Sequence, residues 1–294
     1  MSSVFFQDGE NYRIDRSKKI KITRYDVSGD AEIIDTSNKV NGLKDIEKIS
    51  KNMYFDKKKN RYVRYKSDDE KTEDSLRKSM KVLNNKLKNN FNGGSNELFI
   101  TLTTTVPVTD VAEIKLYFEQ FWEKLKSIYN GLEYAYVLEW QEQRNSWHFH
   151  LLLKDIKNPV LYIPNSKIEL LWGKGYTKTS RVSADLKYNS IDEEEILKYD
   201  DRDIRNTVQI LGIKRVISYM CKMKSKKSIP RYVRCFETSR NLKSPQIEVK
   251  TYGDIYDEMI ENNYQLSKER TTLVRDVKTK AIVNKIKKEV WSIK

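Results

Sequence analysis

The chain has 294 residues, of which 38% are apolar and 33% charged, and 56 lysines and arginines outweigh 42 acids to give a formal net charge of +14. That size allows one large domain or two smaller ones, and that charge points to a polyanion, most often nucleic acid. With two cysteines, no segment approaching 18 consecutive apolar residues and no apolar signal core at the N-terminus, the composition excludes a disulfide scaffold and predicts a cytoplasmic protein that does not enter a membrane.

Residues 1 to about 66 read as short strand-like runs, notably Tyr12 to Tyr25, with a small helix after Asn41. A helix is expected over Asp69 to Asn90, where Leu76, Met80, Leu83 and Leu87 fall on one stripe. Gly93-Gly94-Ser95 marks a linker. Glu97 to Thr105 is a strand that Pro107 ends, and Asp110 caps a helix carrying Ile114, Phe118, Phe121, Leu125 and Ile128. A hairpin follows, with strands over Glu133 to Glu142 and Trp147 to Leu153. Asn165 or Ser166 caps a short helix ending at Gly173, and Tyr176 to Ser183 is a fourth strand. A charged insertion spans Asp192 to Asp203, a helix runs from Asn206 to about Met223, and Arg231 to Thr238 is a fifth strand. The order predicts an α+β fold, a central antiparallel sheet with helices on one face. Three regions are expected: an N-terminal extension over 1–95, the main domain over 96–245 and a C-terminal helical tail over 246–294.

The only two histidines stand two residues apart, in Trp147-His148-Phe149-His150. On a strand, residues i and i+2 share a face, so two imidazoles aim at one point while Phe149 packs behind. Paired imidazoles are common ligands of divalent metals. With Asn145-Ser146 as a tight loop, Gln143 faces His148 and Gln141 faces His150, with Glu139 one step further on the same face. Glu139 is the preferred third ligand, because an anionic oxygen suits a hard cation such as Mg²⁺ or Mn²⁺, and Gln141 is the alternative. Glu142 lies on the other face, although a slip of one residue would exchange it with Glu139.

From Arg202 to Lys250 there are 13 lysines and arginines against three acids, a local balance of +10. Within this run Ile213 to Lys227 forms an amphipathic helix at about 100° per residue. Val216, Met220 and Met223 make its apolar stripe, and Tyr219 falls on the flank beside Arg215, Lys222 and Lys226. A phenol there is either an amphipathic surface tyrosine or a nucleophile assisted by Lys222. Arg215, Lys224, Lys226, Lys227, Arg231 and Arg234 are the expected phosphate contacts. No G-x-x-x-x-G-K-[ST] is present, and Gly173-Lys174-Gly175 has the wrong spacing for one, so no nucleotide cofactor is expected.

Three segments, in order, resemble the motifs of the HUH endonucleases, the rolling-circle replication initiators of bacterial plasmids and phages. They are Phe99-Ile-Thr-Leu-Thr103, Trp147-His-Phe-His150 preceded by Glu139-Trp-Gln-Glu-Gln-Arg144, and Tyr219-Met-Cys-Lys222. The resemblance covers about residues 74 to 245. It implies a ferredoxin-like palm with the metal on the sheet and Tyr219 on a helix as nucleophile, Lys222 assisting. The implied activity is nicking and rejoining of single-stranded or hairpin-extruded origin DNA through a 5′-phosphotyrosine, with host helicase and polymerase as partners. Some relatives carry a second tyrosine four residues after the first; Met223 occupies that position here, which makes this the single-tyrosine type. An HUH transposase or relaxase is the rival enzyme, and a non-catalytic origin-binding or copy-control protein is the rival from another class.

Overall fold

A computed structural model of the chain describes residues 4–36, 46–50, 52–57, 59–65, 68–184, 210–222 and 233–293. The chain opens with β1 (Val4–Gly9), β2 (Lys19–Arg24) and β3 (Ala31–Thr36), then the short strands β4 (Ile46–Lys48), β5 (Met53–Asp56) and β6 (Arg61–Arg64). Next come α1 (Asp68–Asn90), β7 (Glu97–Leu102), α2 (Val111–Ile128), β8 (Leu132–Gln141) and β9 (Ser146–Asp155). α3 (Asn165–Trp172), β10 (Thr177–Ser183), β11 (Ile210–Gly212), α4 (Ile213–Met220) and β12 (Phe236–Thr238) follow. The chain ends with β13 (Gln246–Thr251), α5 (Tyr252–Glu261), β14 (Tyr264–Asp276) and β15 (Ile282–Ile293). These residues form two compact units, 1–71 with 245–294, and 72–244.

The first unit joins both ends of the chain. Its six strands pair in the order β1-β14-β15-β3-β2-β13, and a separate three-stranded sheet holds β4-β5-β6. Ile20, Ile22, Ala31, Ile33 and Trp291 pack from the large sheet against Ile255 and Met259 of α5. The C-terminal segment is therefore not the helical tail that its charge pattern suggests, since α5 is followed by two long strands. Lys287, Glu289 and Trp291 are the buried residues of β15, at a period of two. Lys287 sits 3.1 Å from Glu269 and 3.3 Å from Glu289, so two of the three inward positions are a satisfied ion pair rather than apolar residues. The small helix expected after Asn41 lies outside the described residues as far as 45, and Ile46–Lys48 is a strand.

The second unit is the α+β fold the sequence predicts: a six-stranded sheet in the order β11-β10-β7-β9-β8-β12, antiparallel except where β11 pairs parallel to β10. β9 lies inside it and is buried on both faces. One face carries α2 and α3, through Ile114, Phe118, Phe121, Ile168 and Trp172 against Ile100, Tyr136, Phe149 and Leu151. The other carries α1 and α4, through Met80, Leu83, Leu87, Val216, Ile217 and Met220 against Phe99, Ala135, Val137 and Leu152. Helices thus cover both faces, not one. The reason is visible in β7 and β9, whose apolar residues do not alternate with polar ones as a half-solvated strand requires.

Local chemistry fixes the connections. Asp110 caps α2 by accepting from the Ala112 amide at 3.0 Å, as expected. Pro164, not Asn165 or Ser166, holds the cap position of α3; the Asn165 side chain instead bonds Thr177 and Thr179 of β10. Gly175 has φ +157°, and a Cβ there would lie 2.4 Å from the Thr105 nitrogen, so only glycine lets this turn approach the end of β7. α4 begins at Ile213 because residues 210–212 are spent on β11, and the expected fifth strand is confined to Phe236–Thr238 among the described residues.

Phe118 is the hub of the α2 face, with ring centroids 4.4 Å from Tyr136, 5.1 Å from Phe149 and 5.3 Å from Tyr134. Phe118→Ala is expected to cost about 3–5 kcal/mol, since close-packed neighbours cannot collapse into the void. Denaturant midpoints of the two proteins measure it, and a loss below about 1 kcal/mol would contradict the packing described.

Candidate metal centre and tyrosine site

The β8–β9 hairpin builds the first part of the site. Its turn is wider than the two-residue loop predicted: Glu142–Arg144 form one 3-10 turn and Asn145 closes it in the left-handed region, at φ 50°. Glu139 therefore lies directly opposite His148, Val137 opposite His150 and Gln141 opposite Ser146. Relative to the expected register the pairing moves by an even number of residues, which keeps Glu139 on the histidine face. Gln141, the alternative ligand, is carried beyond the histidines toward the turn, and Gln143 is in the turn itself.

Four side-chain atoms converge. His150 Nε2 lies 2.9 Å from His148 Nε2, 2.7 Å from Glu139 Oε2 and 3.0 Å from the Tyr219 hydroxyl. The phenol donates to Glu139 Oε2 at 3.1 Å, and His148 Nε2 stands 3.4 Å from the same oxygen. His148 and His150 are 8% and 6% exposed. Glu139, His148 and His150 form the one group of three or more acidic, histidine or cysteine side chains with metal-ligand spacing among the described residues.

The donor set fits a divalent cation. Two imidazole nitrogens and a carboxylate oxygen bring lone pairs to within 2.7–3.4 Å of one another, with few protons to share among them. Ligands held about 2.0–2.2 Å from a common ion sit roughly 3 Å apart when their bonds meet near a right angle. A proton on His150 Nδ1, donated to Thr101 Oγ1 at 3.2 Å, leaves the Nε2 lone pair facing the cluster, the usual outer support of a metal-bound imidazole. Phe99 stacks on the same ring at 5.8 Å with planes 8° apart. From sequence alone Phe99 and Thr101 are only part of a strand; their contact with His150 follows from the pairing of Thr101 with His150 across β7 and β9.

Tyr219 comes from the far side of the sequence. Ile213, Val216, Ile217 and Met220 bury one side of α4, which leaves Tyr219 on its flank, 38% exposed, with its ring 4.8 Å from that of His150. Burial raises the phenol pKa above its ordinary value, and the charge and hydrogen bond of Glu139 push it the same way.

The structure brings Glu139, His148, His150 and Tyr219 together. Of the expected phosphate contacts, Arg215 is half-buried on α4 and Arg234 is exposed just before β12, while Lys224, Lys226, Lys227 and Arg231 lie outside the described residues. Lys222 lies just after α4, where its amide bonds the Tyr219 carbonyl.

A site of this kind belongs to the class of metal-centred α+β folds with a tyrosine at the metal group. Residues 97–199, about one third of the chain, match the model of a family of replication-associated proteins, the ORF2 type. The match includes Glu139, His148 and His150, ends before Tyr219, and supports a Rep-type replication protein. No curated protein and no solved structure matches the chain. Among the described residues, no helix is long and apolar enough to cross a membrane.

Proposed function

We propose that the chain nicks and rejoins one strand of origin DNA to initiate rolling-circle replication, as an HUH endonuclease of the single-tyrosine type. The observation that carries this reading is the Tyr219 hydroxyl, 3.0 Å from His150 Nε2 and 3.1 Å from Glu139 Oε2, although 69 and 80 residues separate them in the chain. The match to a replication-associated family supports it, as does the net charge of +14.

Glu139, His148 and His150 would hold the ion, with Mn²⁺ or Mg²⁺ as the candidates. A divalent cation bound there supplies Lewis-acid polarisation of the scissile phosphate. The Tyr219 oxygen attacks phosphorus in line. Its bond to phosphorus forms as the bond to the 3′ oxygen breaks; the 3′ oxygen takes up a proton and leaves as a free hydroxyl, and the 5′ phosphate stays on Tyr219. Glu139 Oε2 and His150 Nε2 are the acceptors within reach of the phenol proton. One phosphoester replaces another, so the reverse reaction rejoins strands without ATP, in keeping with a sequence that has no P-loop motif. The free 3′-OH is a primer for a host polymerase behind a host helicase.

Incubating the full chain with single-stranded oligonucleotides spanning its origin and Mn²⁺, followed by denaturing electrophoresis, tests the reading. A covalent protein–DNA species, with an equal amount of fragment ending in a 3′-OH, is expected. Binding with no adduct in either Mn²⁺ or Mg²⁺ would make the chain an origin-binding protein instead.

A further inference from the structure

A cavity of about 470 Å³ opens between α1 and α4 in the second unit. Asn84 and Lys88, one turn apart on α1, form one wall; Lys214 and Ser218, one turn apart on α4, with Lys222 just beyond the helix, form the other; Ile217 is also among its lining residues. No acidic residue lines it. Three ammonium groups around one space, with no carboxylate in its walls, repel one another, and an anion between them removes that cost. The Asn84 Oδ1 is buried without a hydrogen-bond partner, so this amide oxygen is not committed to the fold. The volume is that of a small-ligand site.

The cavity adjoins the tyrosine. Ser218 precedes Tyr219, and Lys222, one turn later, stands between Tyr219 and the Lys214–Ser218 row when the helix is viewed down its axis at about 100° per residue. The two sites are therefore within one helix diameter, about 10–12 Å.

Resting on the nicking reading above, we propose that this cavity is a subsite for a backbone phosphate of the single strand adjacent to the scissile one. Lys88, Lys214 and Lys222 neutralise that phosphate, and Ser218 and the Asn84 amide group hydrogen-bond its oxygens. The contacts go to phosphate, so they hold the strand in register over Tyr219 without reading its sequence.

The test uses the full chain and a fluorescein-labelled oligothymidylate, with anisotropy measured across a range of salt. Each phosphate contact contributes about 0.7 to the slope of log K against log salt on single strands. Lys88→Ala and Lys214→Ala are each expected to lower that slope by about 0.7 and affinity at low salt by roughly three- to tenfold, and Lys214→Arg to keep both. Lys124→Ala, on the exposed side of α2 across the sheet, should change neither. Unchanged slopes in both pocket variants would overturn the proposal, and so would a loss in Lys124→Ala as large as theirs. The adduct assay separates the two readings. Adduct formation with unchanged slopes removes the subsite and leaves the nickase; reduced slopes with no adduct leave the subsite and remove the nickase.

Discussion

Tyr219→Phe is expected to abolish the covalent adduct and strand cleavage while leaving the fold nearly unchanged. The ring keeps its edge-on contact with His150, 4.8 Å between centroids, and the apolar side of α4 is untouched. Only the hydroxyl is lost, with its bonds to Glu139 and His150, at a cost in stability of about 1 kcal/mol. No atom in the phenylalanine can form the bond to phosphorus, so the loss of cleavage is complete rather than partial. Peptide mapping of the wild-type adduct supplies the converse. A phosphotyrosyl peptide from Tyr188, Tyr232 or any other tyrosine, or an adduct that survives in Tyr219→Phe, would place the nucleophile elsewhere.

The second large effect is expected at the histidines. His150 Nε2 is the hub of the cluster, within 3.0 Å of the other three converging atoms, so His150→Ala removes the group that every other one touches. Changes to residues that merely support a ligand cost about 10- to 100-fold in metal affinity, and removal of the ligand itself exceeds that. Titration calorimetry with Mn²⁺ should show a loss above about a hundredfold for His150→Ala and for His148→Ala, and neither variant should form adduct. Single-stranded DNA binding, carried by cations elsewhere, should change little. Chelator should act on the wild type as the substitutions do; full cleavage in chelator would refute a metal-dependent site.

Legibility in the sequence follows how local each feature is. The helix with its stripe of Ile114, Phe118, Phe121 and Leu125, the strand at 97–102 and the histidine hairpin each announce themselves within a short window, and each is present. Glu139 follows from its charge and from a register that differs from the observed one by an even step, and the even step preserves the choice. The turn is misleading because Asn145 does sit in the left-handed conformation that a two-residue loop would use, but at the end of a longer loop. The sheet that unites residues 4–36 with 246–293 is not legible. Its pairings span most of the chain, and the inward positions Lys287 and Glu289 hide a strand period behind charges that suggest a solvated helix. The second row of α4, Lys214 and Ser218, gains meaning only with α1 facing it.

The separations along the chain between the converging groups also have a consequence for order of assembly. Glu139, His148 and His150 belong to one hairpin, and 11 residues span the carboxylate and the farther imidazole. The phenol joins them only after a further 69 residues. Closing the longer span costs about 1.6 kcal/mol more in chain entropy than closing the shorter one, by the logarithmic dependence on loop length. During synthesis the hairpin leaves the ribosome first, so a cation-binding site exists before the group that cuts has been made. Competence to break DNA is therefore confined to chains whose distant segments have already found one another, and truncated or half-folded copies can take up metal without endangering the genome around them.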